Sequence, residues 1–117
     1  MNILTESDDA IINIVTPIVE SMQVGWDNGN YEKFSEYFSD EMKSDVNQAN
    51  FLKQRTEIMP ELGKHLTMDF VAIHKNPDNL IVMWRLFFTN REMPALVTYI
   101  FSEKDGKLQI AGAMLQS

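Results

Sequence analysis

A chain of 117 residues fits one domain, residues 1–117, because a core of this size commonly saturates within roughly 100–150 residues. Hydrophobic residues make up 44% and charged residues 23%, a globular balance that excludes disorder and low-complexity repeats. The 10 Lys+Arg against 17 Asp+Glu leave a net charge of −7, which excludes a nucleic-acid partner for want of a phosphate-neutralising surface, and the absence of cysteine excludes disulfides, thiolate nucleophiles and cysteine-held metals.

The acidity belongs to one half. Residues 1–63 hold 4 Lys+Arg and 12 Asp+Glu, a balance of −8, whereas residues 64–117 hold 6 and 5, a balance of +1. The hydrophobic period changes at the same place, with no Pro/Ser/Gly linker between the halves, so the split reads as a helical layer and a sheet layer of one domain. Residues Met1 to Asp9 show neither a basic nor an apolar leader pattern, and the apolar run Leu80 to Phe88 is interrupted by Arg85. The expectation is a cytoplasmic protein with no membrane partner.

In chain order, Ile11, Val15, Ile18, Met22 and Trp26 recur at helical spacing, with Ser7 as N-cap and Asp8 and Asp9 in the first turn. Pro17 either kinks this helix or starts a new one behind Thr16. Asp27-Asn28-Gly29-Asn30 breaks it, and Tyr31, Phe34, Tyr37 and Phe38 place four rings on a short second helix. Phe51, Leu52, Arg55, Ile58, Met59 and Leu62 predict a third, capped by Asn47 or Asn50 and stopped between Pro60 and Gly63.

From Leu66 the pattern becomes strand-like: Leu66 to Lys75, Leu80 to Thr89, Ala95 to Ser102 and Leu108 to Gln116. Asn76 to Asn79 and Asp105-Gly106 are tight turns, so an antiparallel meander is expected. A two-residue loop at Asp105-Gly106 places Phe101 opposite Ile110, Tyr99 opposite Gly112 and Val97 opposite Met114. Both sheet faces are then largely apolar. Helices cover one, and the other argues for a second copy, a homodimer.

Helices followed by an antiparallel sheet is also the order of the nuclear transport factor 2-like superfamily. The stretch Trp26-Asp27-Asn28-Gly29-Asn30-Tyr31-Glu32-Lys33-Phe34-Ser35-Glu36-Tyr37-Phe38-Ser39-Asp40-Glu41-Met42 resembles its first helix, small polar turn, second helix and aromatic-then-Ser-Asp-Glu passage. Phe51 to Gly63 resembles its third helix, and the chain looks most like the small bacterial members. The resemblance implies an α+β cone, cystatin-like, with a curved four-stranded antiparallel sheet wrapped on the helices and a short extra strand around Met42 to Val46. It further implies a pocket at one end and dimers through the sheet. Steroid isomerase-like, polyketide cyclase-like and dehydratase-like relatives place an Asp, Tyr or His in the cone, and no such set is matched here residue by residue.

Within that frame Trp26, Tyr31, Phe34, Trp84 and Tyr99 are candidates for an aromatic-lined pocket. Met22, Met42, Met59, Met83 and Met114 are adaptable filler beside them. The same residues also read as ordinary core. Asp69 and Arg85 each interrupt an apolar strand. A tight Asn76 to Asn79 turn sets them on opposite faces, a one-residue change sets them together, and Arg85 at the cone mouth orients a polar ligand end. Of the two histidines, His65 reads as an exposed loop residue and His74 as a rim residue; Asp69 and His74 are the candidate bases. No metal-ligand spacing, phosphate loop or nucleophile motif is present, so neither metal nor cofactor is expected. The expected function is binding of a small apolar molecule in the cone. The alternatives are an isomerase, cyclase or dehydratase using Asp69 or His74, and a protein-interaction module with a filled cone.

Overall fold

The computed structural model describes residues 2–116. After a 3-10 turn at Ile3–Thr5 comes helix α1, Asp8–Asn28, whose Ser7 cap accepts from the Ala10 N–H at 3.2 Å. Pro17 lies inside α1 and the helix continues through it, so no separate segment precedes the proline. Gly29 ends α1 at φ 69°, a left-handed conformation that costs glycine nothing.

Helix α2, Tyr31–Phe34, is a single turn, and Tyr37 and Phe38 fall beyond it rather than on it. Its approach to α1 is close: a Cβ on Gly25 would stand 2.3 Å from the backbone nitrogen of Phe34. Helix α3, Asp40–Asp45, occupies most of the stretch in which the resemblance implied a short strand, Met42 to Val46. The reason is local. Ser39 caps the Met42 N–H, and Asp40 and Glu41 sit where negative charge suits a helix start. Pairing with the sheet falls earlier, at an isolated parallel bridge of Phe38 with Ile110. Helix α4, Gln48–Leu62, is capped by Asn47 and closed by Gly63.

The sheet comprises β1 (His65–Lys75), β2 (Leu80–Phe88), β3 (Ala95–Lys104) and β4 (Lys107–Gln116), all antiparallel in the order β1-β2-β3-β4 and not closed into a barrel. This is an α+β fold of N-terminal helices on an antiparallel four-stranded sheet. Alternation divides the faces: Val82, Trp84 and Leu86 of β2 and Val97, Tyr99 and Phe101 of β3 are buried under the helices, while Met83, Arg85, Thr98 and Ile100 point the other way. No helix among the described residues is long and apolar enough to cross a membrane.

Two bulges correct the expected registers. A shift between Phe70 and Ala72 leaves Val71 as the extra residue, so Asp69 stands opposite Arg85 instead of Leu86, and both charges lie exposed on the outer face. A second shift, with Ala111 as the extra residue of β4, keeps Phe101 opposite Ile110 but pairs Tyr99 with Ala113 and Val97 with Leu115. Gly112 and Met114, expected opposite Tyr99 and Val97, move to the other face, against Ile100 and Thr98.

Candidate functional site

Helix α1 runs along the sheet and is tied to it at both ends. Near its start, the Lys75 Nζ donates to the Glu6 carbonyl at 2.8 Å; at its end, Asp27 receives His65 of β1. Around the first tie the interior is closed by Ile11, Val15, Leu80, Val82 and Phe101, each 0% exposed. Around the second it opens into a cavity of about 310 Å³.

Each layer supplies part of the cavity wall: Trp26 and Met22 from α1, Phe34 from α2, Ile58 and Leu62 from α4, and Phe88, Val97 and Tyr99 from the sheet. The end of β4, Ala113 to Leu115, forms the rim. Helix α4 is docked by Phe51, whose ring packs 4.6 Å from Phe34 and 5.8 Å from Trp26. That aromatic cluster holds Trp26 and Phe34 in the wall without filling the space beyond them.

Six of the aromatic and methionine residues singled out from sequence border the cavity, Trp26, Phe34, Tyr99, Met22 and Met42 in its wall and Met114 at its rim. The remaining pocket candidates, Tyr31, Trp84, Met59 and Arg85, stand elsewhere. Tyr31 spends its hydroxyl on the Val46 carbonyl at 2.6 Å, linking α2 to the end of α3. Trp84 is 2% exposed and packs against Tyr99 within the core, Met59 lies outside the wall, and Arg85 is exposed on the outer sheet face. The candidate bases stand away from the cavity as well: Asp69 is exposed opposite Arg85, and the exposed His74 places Nε2 3.0 Å from Asn76 Oδ1.

His65 corrects its sequence reading. It is the first residue of β1, not a loop residue, and its side chain is 14% exposed. Nδ1 lies 2.8 Å from Asp27 Oδ1, and its backbone N–H donates to the same carboxylate, 3.2 and 3.3 Å from its two oxygens. A carboxylate only accepts, so Nδ1 carries the proton and Nε2 keeps its lone pair. The ring packs on Phe88 at 4.7 Å and lines the cavity. Burial draws the His65 pKa below its ordinary 6.5, outweighing the hydrogen bond and charge of Asp27, which push it up; the ring is neutral at pH 7.

Asp27 sits where its charge is disfavoured, in the last turn of α1 at the negative end of the helix dipole. Arg55 of α4 answers it. Its Nε donates to the Trp26 carbonyl at 2.6 Å and Nη2 to the Asp27 carbonyl at 3.2 Å, placing a positive charge on that helix end. Asp27 is thereby held from two sides, its backbone by Arg55 and its carboxylate by His65. Tyr99 adds the other titratable group of the wall; burial raises its phenol pKa far above the ordinary 10, so it stays protonated. Among the described residues, no group of three or more His, Cys, Asp or Glu could hold a metal ion.

No family model matches the chain, and no curated protein matches it. Among solved structures it is similar to that of Bdellovibrio bacteriovorus Bd1075, with a TM-score of 0.57 and 15% identity over 92% of this chain and 41% of that one. The likeness at this identity is one of fold, and the chain spans well under half the length of that structure.

Proposed function

We propose that this chain is a nuclear transport factor 2-like cone that takes a small, largely apolar molecule into the cavity between α1, α4 and the sheet, and that two copies associate through the outer sheet face. The cavity carries the binding part of this reading: about 310 Å³ of space behind an apolar wall is the usual form of a small-molecule site. An interaction module with a filled cone would have no such space. The superfamily part is supported by the order of helices then meander and by the aromatic passage from Trp26 to Met42. The dimer part is supported by the outer face, where Ile81, Met83, Phe87, Leu96 and Ile100 are only partly covered.

Mass spectra of the protein purified gently under native conditions test the binding part. A bound small molecule is expected, and it should be lost when Ala113 at the rim is replaced by Trp to fill the mouth. A protein that carries no ligand and takes up no apolar dye would sink the reading. Sedimentation at micromolar concentration tests the dimer, which a monomer would refute.

The His65–Asp27 pair favours a second reading, an enzyme of the isomerase, cyclase or dehydratase kind with His65 in the place given to Asp69 or His74 by sequence. A neutral imidazole oriented by a carboxylate is a general base near neutral pH, and the protonated Tyr99 on the same cavity is a hydrogen-bond donor for a developing oxyanion. Exchange of the α-protons of a cyclic ketone in D2O should be faster with the wild type than with His65→Ala; equal rates would remove this reading.

A further inference from the structure

The cavity wall holds space, apolar surface and a few polar atoms, but no charge. Among the described residues no Lys, Arg, Asp or Glu lines it. The charges beside His65 and Trp26 are committed to those residues: the Asp27 carboxylate accepts from two N–H groups of His65, and the Arg55 guanidinium donates to the Trp26 and Asp27 carbonyls. An ion entering this cavity would leave water without meeting a counter-charge, a penalty that selects against it. For an anion the penalty is compounded by the Asp27 carboxylate behind His65 and by the −7 charge of the whole chain.

The polar atoms are directional. Nδ1 of His65 is spent on Asp27, so the imidazole offers a ligand only the Nε2 lone pair, an acceptor that asks for a donor. Of the other polar groups of the wall, Gln23 is turned aside, its Nε2 3.4 Å from the Met68 sulfur, while Gln54 and the Tyr99 hydroxyl are uncharged and can orient a neutral ligand without supplying a counter-charge to an ion. We infer that the cavity selects an uncharged, ring-sized alcohol or phenol whose hydroxyl donates to Nε2 of His65, and that it turns away carboxylates and ammonium ions of the same shape. This rests on the ligand-binding reading above and narrows it to a class of molecule.

Four probes of one shape test it at pH 7: naphthalene, 2-naphthol, 2-naphthoate and the 2-naphthylmethylammonium ion, followed by backbone amide shifts in NMR. Naphthol should bind about tenfold more tightly than naphthalene, the worth of one hydrogen bond. Neither ion should saturate at concentrations where naphthol does. His65→Phe should erase the naphthol preference while keeping naphthalene binding. Should that variant fail to fold, the wild-type protein still decides: the His65 Nε2 resonance should move with naphthol and stay still with naphthalene. Naphthoate or the ammonium ion binding as tightly as naphthol, or a naphthol complex that leaves Nε2 unmoved, overturns the inference and leaves the cavity as a ligand site. Binding of none of the four overturns the ligand-binding reading itself.

Discussion

At one end of the molecule helix and sheet close on each other, and at the other they stand apart. Ile11, Val15, Leu80 and Phe101 are fully enclosed, whereas Met22 and Trp26, further along the same face of α1, border open space. The two histidines of β1 follow the same division. His74 lies exposed at the end of β1 near the closed core and bonds only to a neighbouring asparagine; His65, at the other end, is half-buried and oriented by a carboxylate from another layer. Residue type and strand are the same in both cases. What differs is whether another element comes close enough to take up one ring nitrogen and set the ring in the wall of a cavity.

Cavity-creating substitutions should break the comparison most visibly. Phe101→Ala at the closed end is expected to cost about 3–5 kcal/mol, and Met42→Ala at the open end about 2 kcal/mol, since residues around an existing space can collapse into it. Urea unfolding measures both, and equal losses would mean that the ends are packed alike. Gly25→Ala should cost about 1–3 kcal/mol by forcing α1 away from α2 at the wall of the open end. A thermal midpoint unchanged from wild type would show that the two helices separate freely.

A subtler test uses pH. His65 has a folded pKa below its unfolded 6.5, so the folded state binds fewer protons than the unfolded state as pH falls. The stability tied to this ring is therefore complete above about pH 6.5 and declines below it as pH falls towards the folded pKa. Asp27→Asn removes the contributions that push the pKa up, and should lower it further in an NMR titration of the ring. A rise would mean that Asp27 does not push the pKa up. The smallest effects belong to the outer face: Asp69→Asn, Arg85→Gln and His74→Ala should each change stability by less than about 0.5 kcal/mol. They should also leave ligand binding intact, and a loss of binding in any of them would return the site to the place first read from sequence.

Helix ends were legible because their chemistry is local: Ser7, Asn47, Gly29 and Gly63 each act within a few residues of where they stand. The four strands were legible for the same reason. The bulges were not. Val71 and Ala111 are ordinary strand residues, and one unpaired position in either strand moves every later partner by one. The pocket was legible in part, through Trp26 and Phe34 from the helices and Tyr99 and Met114 from the sheet. His65 and Asp27 lie far apart in the chain, and each adjoins a helix terminator, which made both look like turn residues. The available signal was that pairing: an acid at the end of one helix and a histidine just after another, brought together wherever those two ends meet.

The bridge between Phe38 and Ile110 bears on self-association as well as on shape. With the order β1-β2-β3-β4, both outer strands present backbone groups that could recruit foreign strands. The edge of β4 is occupied at its centre, where Ser39 donates to the Ile110 carbonyl at 2.9 Å and Ile110 donates to Tyr37 at 2.6 Å. The edge of β1 is disrupted instead by its bulge at Val71. The two guards differ in when they operate during folding. The bulge belongs to a hairpin and forms with it, while the bridge joins residues separated by most of the chain and must wait for the helices to dock. Until then β4 is the open edge, and a folding chain is most exposed to aggregation there.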